Sequence, residues 1–248
     1  MSTTTPRLRM FAGPNGSGKS TLKSYLPVPL LGEYLNPDEI EQDIHKMGFL
    51  NFSAYGILTT ADEARCFFTG SAFLKSEGME GVAAKLGFTA AGIDFAEIAV
   101  NSYLASVAVD FLRQKLLAQR ESFTFETVMS HESKVQILTQ AQAQGYRTYL
   151  YYVATDDPSI NVSRVANRVA LGGHTVPENK IVSRYHRSLD LLLEAIRHTN
   201  RAYVFDNSGE NGDGKHTWLA EITDGKTIEV KTDHIPGWFK RAVMDKII

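Results

Sequence analysis

Gly13-Pro14-Asn15-Gly16-Ser17-Gly18-Lys19-Ser20, followed by Thr21, satisfies the pattern G-x-x-x-x-G-K-[ST] at every fixed position. Glycines at these places let successive backbone N–H groups turn inward around phosphate oxygens. A lysine beside the last glycine reaches the β- and γ-phosphates of a nucleoside triphosphate, and the serine after it offers a hydroxyl to Mg²⁺. The predicted chemistry is binding of ATP with Mg²⁺ by residues 13–21, with Ser20 as the metal-side ligand. A plain glycine-rich turn leaves the apolar run before the loop and the helical pattern after it unexplained. A dinucleotide-binding loop has no use for the Lys19-Ser20 pair.

Phosphate binding does not define a reaction, so the remaining polar residues must. Asp38 lies 19 residues after Lys19, at the end of the short run Glu33–Asn36. A carboxylate facing a γ-phosphate can accept the proton of an attacking hydroxyl as general base. The competing role is a helix N-cap, since Pro37-Asp38-Glu39 precedes an apolar-periodic stretch, with Glu39 in the first helical turn. Glu126 and Thr127 close the run Ser122–Thr127, where a buried strand does not call for a carboxylate. Both are expected to contact the substrate; an internal ion pair or cap is the alternative for Glu126.

The segment 158–188 carries the second signal. Val162, Val165 and Val169 make an apolar helical stripe, with Asn161, Arg164 and Arg168 beside it. Gly172-Gly173-His174 breaks that helix, and a second begins near Lys180, with Ile181, Tyr185, Leu189, Leu192 and Ile196 inward and Arg184 and Arg187 off that face. Two arginine-bearing helices joined by a glycine loop read as a kinase lid, with Arg168 and Arg184 neutralising charge on the transferring phosphoryl group. A solvated cationic face is the plainer reading. His174 is read as a loop residue touching substrate, not a metal ligand, because no second His or Cys lies at ligand spacing. Asp206 is expected to serve structure or the adenine side.

These residues need a scaffold. Five short β-rich runs, Leu8–Ala12, Glu33–Asn36, Ser122–Thr127, Arg147–Ala154 and Arg201–Phe205, alternate with helical segments. Apolar on both faces, they predict an α/β P-loop fold: a doubly wound, mostly parallel, five-stranded sheet with helices on both faces. Ligands then sit at the carboxyl ends of the strands. Residues 41–121 read as a mostly helical insert, 158–188 as the two-helix lid, and 216–232 as a C-terminal β-hairpin that extends or flanks the sheet, all within one domain of 248 residues. The net charge of −2 argues against a uniformly basic nucleic-acid surface. One cysteine, no signal-peptide pattern and no segment of about 20 apolar residues predict a cytoplasmic protein without a membrane span.

Taken together, residues 13–21 (GPNGSGKST), 36–39 (NPDE), 122–131 (SFTFETVMSH), the RV…RV…GGHTVP…KI…RYHRSL stretch over 164–189 and 201–208 (RAYVFDNS) resemble the zeta toxin family of P-loop kinases. The resemblance implies phosphorylation of a small-molecule hydroxyl, with UDP-N-acetylglucosamine or a similar nucleotide sugar as acceptor. It implies Lys19 and Ser20 on phosphate and Mg²⁺, Asp38 as base, Thr127 on the sugar nucleotide, and Arg168 and Arg184 as lid arginines. It also implies a small antitoxin partner that blocks the ATP site. The chain departs from plasmid-borne members in carrying Asn36-Pro37-Asp38 where they have Asp-x-Asp. A nucleic-acid end kinase and a non-enzymatic nucleotide-gated module are the alternative functions.

Overall fold

The computed structural model describes residues 5–173, 175–209 and 216–247. In chain order the strands are β1 (Arg7–Ala12), β2 (Glu33–Leu35), β3 (Phe49–Asn51), β4 (Gly87–Phe88), β5 (Gly92–Asp94), β6 (Phe123–Thr127), β7 (Arg147–Ala154), β8 (Arg201–Asp206), β9 (Thr217–Thr223) and β10 (Thr227–Val230). The helices are α1 (Lys19–Leu22), α2 (Val28–Leu31), α3 (Pro37–Met47), α4 (Ala61–Thr69), α5 (Ala72–Ser76), α6 (Glu80–Ala83), α7 (Ser102–Gln119), α8 (Ser133–Ala143), α9 (Pro158–Ala170), α10 (Glu178–Asp190) and α11 (Leu192–Arg197), and a helical stretch covers 237–247. Two compact units emerge: residues 1–32 with 124–248, and residues 33–123.

In the first unit the strands lie in the order β10-β9-β8-β7-β1-β6. β1 and β8 both run parallel to β7, while β9 is antiparallel to β8 and β10 to β9. The C-terminal hairpin therefore extends the sheet, which is larger than the five strands expected. Register puts Met10, Leu150 and Ala202 in one row and Ala12, Tyr152 and Val204 in the next, all fully buried. Trp238 of the C-terminal helical stretch packs against Tyr152 on that face, at 6.1 Å between ring centroids.

The opposite face is not aliphatic towards the strand starts. Arg9 lies over the Tyr149 ring at 5.2 Å, and Tyr151 stacks on Tyr203 at 4.9 Å. Burial holds the Arg9 guanidinium below its ordinary value and pushes the Tyr151 phenol up to about 12. The even apolar character expected of both faces gives way here because a buried cation tolerates aromatic π-faces better than alkyl chains.

The second unit adds to the expected helical insert a small sheet that the sequence did not show. β3, β5 and β4 form a three-stranded antiparallel sheet in that order, with Ile93 opposite both Leu50 and Phe88. Strands of two or three residues are too short to show a period of two in sequence. Phe52, Phe67 and Phe68 gather around Phe111 of α7, with centroid distances of 5.3, 5.3 and 6.4 Å. Among the described residues no helix is long and apolar enough to cross a membrane.

Candidate functional site

The glycine-rich loop joins β1 to α1, as the motif requires. Gly13 has φ +145°, and a Cβ there would lie 2.0 Å from the Val153 carbonyl oxygen. Gly18 has φ +95°, and a Cβ there would meet Asn207 Nδ2 at 2.5 Å. Only glycine satisfies both the backbone angle and the clearance at these two places. α1 is four residues long and continues as a 3₁₀ turn to Tyr25, because Leu26 turns extended ahead of Pro27. So short a helix carries little macrodipole, and the amides of the loop itself make the anion-facing surface.

Two side chains hold that loop from outside, and two more brace the segments that carry or contact them. Asn161 is fully buried on α9 and donates to the Asn15 carbonyl at 2.6 Å, while its own oxygen accepts from the Thr155 hydroxyl. Tyr185 on α10 donates to the Thr155 carbonyl at 2.7 Å. Asn207 donates to the Ser17 carbonyl at 2.9 Å. Arg164 in turn donates to the Asn207 and Gly209 carbonyls at 2.8 and 3.1 Å. Arg164 thus fixes the segment after β8. The inward stripe of α9 is Asn161 and Val165; Val162 and Val169, expected to be inward, are half-exposed. Polar partners at both ends of its amide make Asn161 the residue that α9 buries. The sequence placed Asn161 in the stripe with Arg164 and Arg168 but gave neither it nor Asn207 a part in the site; a polar residue four before a core valine is the signal that marks Asn161.

Lys19 Nζ donates to the Pro14 carbonyl at 2.9 Å, so its amine lies across the loop. Ser20 donates to Glu126 Oε2 at 3.1 Å, which joins two residues that sequence reasoning assigned separately. Glu126 is almost fully buried at the end of β6. Thr127 accepts from the Met129 amide at 3.0 Å. Met129 is fully buried with φ +53°, an uncommon angle for a non-glycine residue, which marks this turn as over-determined by its surroundings.

Arg168 is exposed at the last turn of α9, its stem under Gly173, and Arg184 is half-buried on α10. α9 and α10, the two helices expected to form a lid, pack on each other. Ile181 and Tyr185 are buried on α10 as expected, and Ser188, whose hydroxyl lies 3.1 Å from that of Tyr152, takes the next inward place ahead of Leu189. Asp206 accepts from Trp238 Nε1 at 2.7 Å and from Ser208, the structural role expected of it. Asp38 belongs to the second unit, where it is exposed at the second position of α3. The cap weighed for Asp38 belongs to Asn36, whose side-chain oxygen accepts from the Asp38 amide at 2.9 Å. His174 lies outside the described residues.

The loop suits a triphosphate on its own atoms. Asn15 Oδ1 and Ser17 Oγ are buried without a hydrogen-bond partner among the described residues, and a side chain at Gly13 or Gly18 would collide with Val153 or Asn207 and displace the loop. A hydroxyl paired with a carboxylate, Ser20 with Glu126, is an oxygen donor set suited to a hard divalent cation shared with phosphates.

Residues 99–213 match the zeta toxin family model. The match includes Glu126, Thr127 and both lid helices and leaves out residues 13–21 and Asp38. A Haemophilus influenzae protein described as uncharacterized is 30% identical over 69 residues, 28% of this chain and 49% of that one. Among solved structures, the AvrRxo1-ORF1:AvrRxo1-ORF2 complex with sulphate ions is similar at a TM-score of 0.53 and 15% identity, covering 92% of this chain and 62% of that chain. The same complex with ATP gives 0.53 and 14%, covering 92% and 61%. The PezAT chromosomal toxin-antitoxin system of Streptococcus pneumoniae gives 0.51 and 12%, covering 99% and 80%. The chain spans about half the length of the curated relative it matches. At these identities the structural likeness is one of fold: a mostly parallel central sheet with helices around it.

Proposed function

We propose that this chain, a P-loop kinase-like fold whose residues 99–213 match the zeta toxin family, is an ATP-dependent phosphotransferase acting on a hydroxyl of a small molecule. The observation that carries the reading is the glycine loop anchored by Asn161 and Asn207, with Lys19 across it and Ser20 bonded to Glu126. ATP is the phosphoryl donor; the AvrRxo1 complex was crystallised with ATP. Mg²⁺, held by Ser20 with Glu126 beside it, supplies charge neutralisation. Residues 13–21 bind the triphosphate, and Lys19 meets the β- and γ-phosphates. An acceptor hydroxyl attacks the γ-phosphorus, the bond to the bridging oxygen breaks, ADP leaves, and the hydroxyl proton passes to a carboxylate, assigned to Asp38. Arg168 and Arg184 offset charge on the moving phosphoryl group, and Thr127 and His174 contact the acceptor. The acceptor class is a nucleotide sugar such as UDP-N-acetylglucosamine. The PezAT toxin-antitoxin neighbour and the two-protein AvrRxo1 complex support a small protein partner.

The test is an acceptor panel of UDP-sugars, nucleotides and oligonucleotides incubated with protein and Mg·ATP, read by mass spectrometry. A gain of one phosphoryl group on a UDP-sugar, absent with Lys19→Ala, is the expected result. ATP binding with no acceptor ever gaining mass would overturn the enzymatic reading, and a gain confined to oligonucleotides would overturn the sugar-nucleotide one.

A further inference from the structure

His216 opens β9 beside the phosphate loop, and none of the proposed chemistry uses it. Its Nε2 lies 3.1 Å from Thr21 Oγ1, and its Nδ1 lies 2.8 Å from the Tyr25 hydroxyl. Its backbone amide donates to that same hydroxyl at 3.2 Å. The ring stands edge-on to Tyr25 at 5.4 Å and packs near Phe205 at 6.2 Å. A Cβ on Gly18 would come within 3.0 Å of Nε2, so the imidazole sits directly on the last glycine of the loop.

The hydrogen positions follow from the partners. Thr21 commits its only proton to the Gly18 carbonyl at 2.6 Å, so its oxygen can only accept from the imidazole. Nε2 must carry a proton. Tyr25 then donates to Nδ1 and accepts the His216 amide, which satisfies every group when the ring is neutral and protonated on Nε2 alone. A second proton on Nδ1 would face the Tyr25 oxygen already accepting from the backbone and would turn the phenol proton away. Burial holds the imidazole below its ordinary value; a hydrogen bond to the Gly18 backbone opposes it, and of the charged groups Arg164 disfavours a cation while Asp206 favours one.

We infer that His216 is a positioning residue for the phosphate site: its Nε2–H, through Thr21 and Gly18, sets the first turn of α1 and with it the placement of Lys19 and Ser20, while Tyr25 holds the ring in that tautomer. The inference rests on the nucleotide-binding reading above. It adds the start of the C-terminal hairpin as a working part of the site.

Two substitutions separate a positioning role from a packing one. Glutamine places its amide donor where Nε2 sits; asparagine places its amide at the Nδ1 position. Mg·ATP affinity measured by titration calorimetry on the full chain is expected to fall on the order of 10-fold in His216→Asn and His216→Ala and to stay within about 3-fold of wild type in His216→Gln, the loss of one directed hydrogen bond being worth roughly that factor. Thermal melts of all three check the fold. Equal affinity in all variants, or a Gln variant no better than the Asn variant, would overturn the inference. If wild type itself binds no ATP, the functional reading falls and the tautomer becomes the deciding measurement. Nitrogen-15 NMR of the His216 ring at pH 7 is expected to show a neutral imidazole protonated on Nε2; a charged ring or the Nδ1 tautomer would refute the geometry on its own terms.

Discussion

At the scale of single residues, the pairing of Ser20 with Glu126 divides labour among carboxylates. Glu126 is buried at a strand end and spends an oxygen on the P-loop serine, while Asp38 is exposed at a helix start and keeps its carboxylate in solvent reach. In the proposed mechanism the buried acceptor bonded to Ser20 tunes cation binding, and the exposed carboxylate takes the proton. The two substitutions should therefore fail differently. Glu126→Gln is expected to raise the Mg²⁺ concentration for half-maximal turnover by about 10–100-fold, the range for outer partners of a metal ligand. Asp38→Asn is expected to cut turnover by about 10²–10⁴-fold with ATP affinity unchanged. Magnesium titrations of the two variants with the acceptor found above check both; a Mg²⁺ shift in Asp38→Asn with turnover intact would exchange the assignments.

At the scale of elements, stability and legibility both depend on local partners. Asn161 on α9 joins three segments through two hydrogen bonds, so Asn161→Ala leaves a buried threonine hydroxyl and a loop carbonyl without their partner. The expected cost is about 1–3 kcal/mol by urea denaturation, with weaker ATP binding alongside. α4 starts on a capping box between Thr60 and Glu63, and Glu63 also receives Lys115 of α7 at 2.6 Å. The Lys115 bond, then those from Thr59 and Thr60, hold the Glu63 carboxyl at about 2. Its folded value lies below its unfolded one, so this stabilisation is present above the unfolded value of about 4.3 and fades as pH falls towards 2. The gap in urea midpoint between wild type and Glu63→Gln should narrow through that window; a constant gap would mean the carboxylate charge contributes nothing. The strands that carry the site were legible because β1, β7 and β8 are long apolar runs ending in polar residues. The phosphate loop was legible because its glycines are fixed by clearance as well as by angle. The three short strands around Ile93 were not, since two or three residues show no period, and the loop anchors Asn207 and His216 were not, since their role comes from register between β8 and β9 rather than from any local spacing.

At the scale of the whole molecule, both tryptophans, Trp218 and Trp238, belong to the unit that contains the phosphate loop. Trp238 is buried against Tyr152 and bonded to Asp206, the residue before the Asn207 that holds Ser17. Its fluorescence therefore reports the folding of the nucleotide-binding unit, and far-UV circular dichroism reports the entire chain. A ligand that binds only the folded state stabilises it by RT ln(1 + [L]/Kd), about 2.7 kcal/mol at one hundred times Kd. For a unit of this size that corresponds to a rise on the order of 5–10 °C in the tryptophan-reported midpoint. Mg·ATP is expected to produce this rise in wild type and to lose it in Lys19→Ala, with the melt of the ligand-free variant checking that its fold is kept. An equal rise in Lys19→Ala would locate nucleotide binding away from the glycine loop, and the account of the site would have to be rebuilt on different residues.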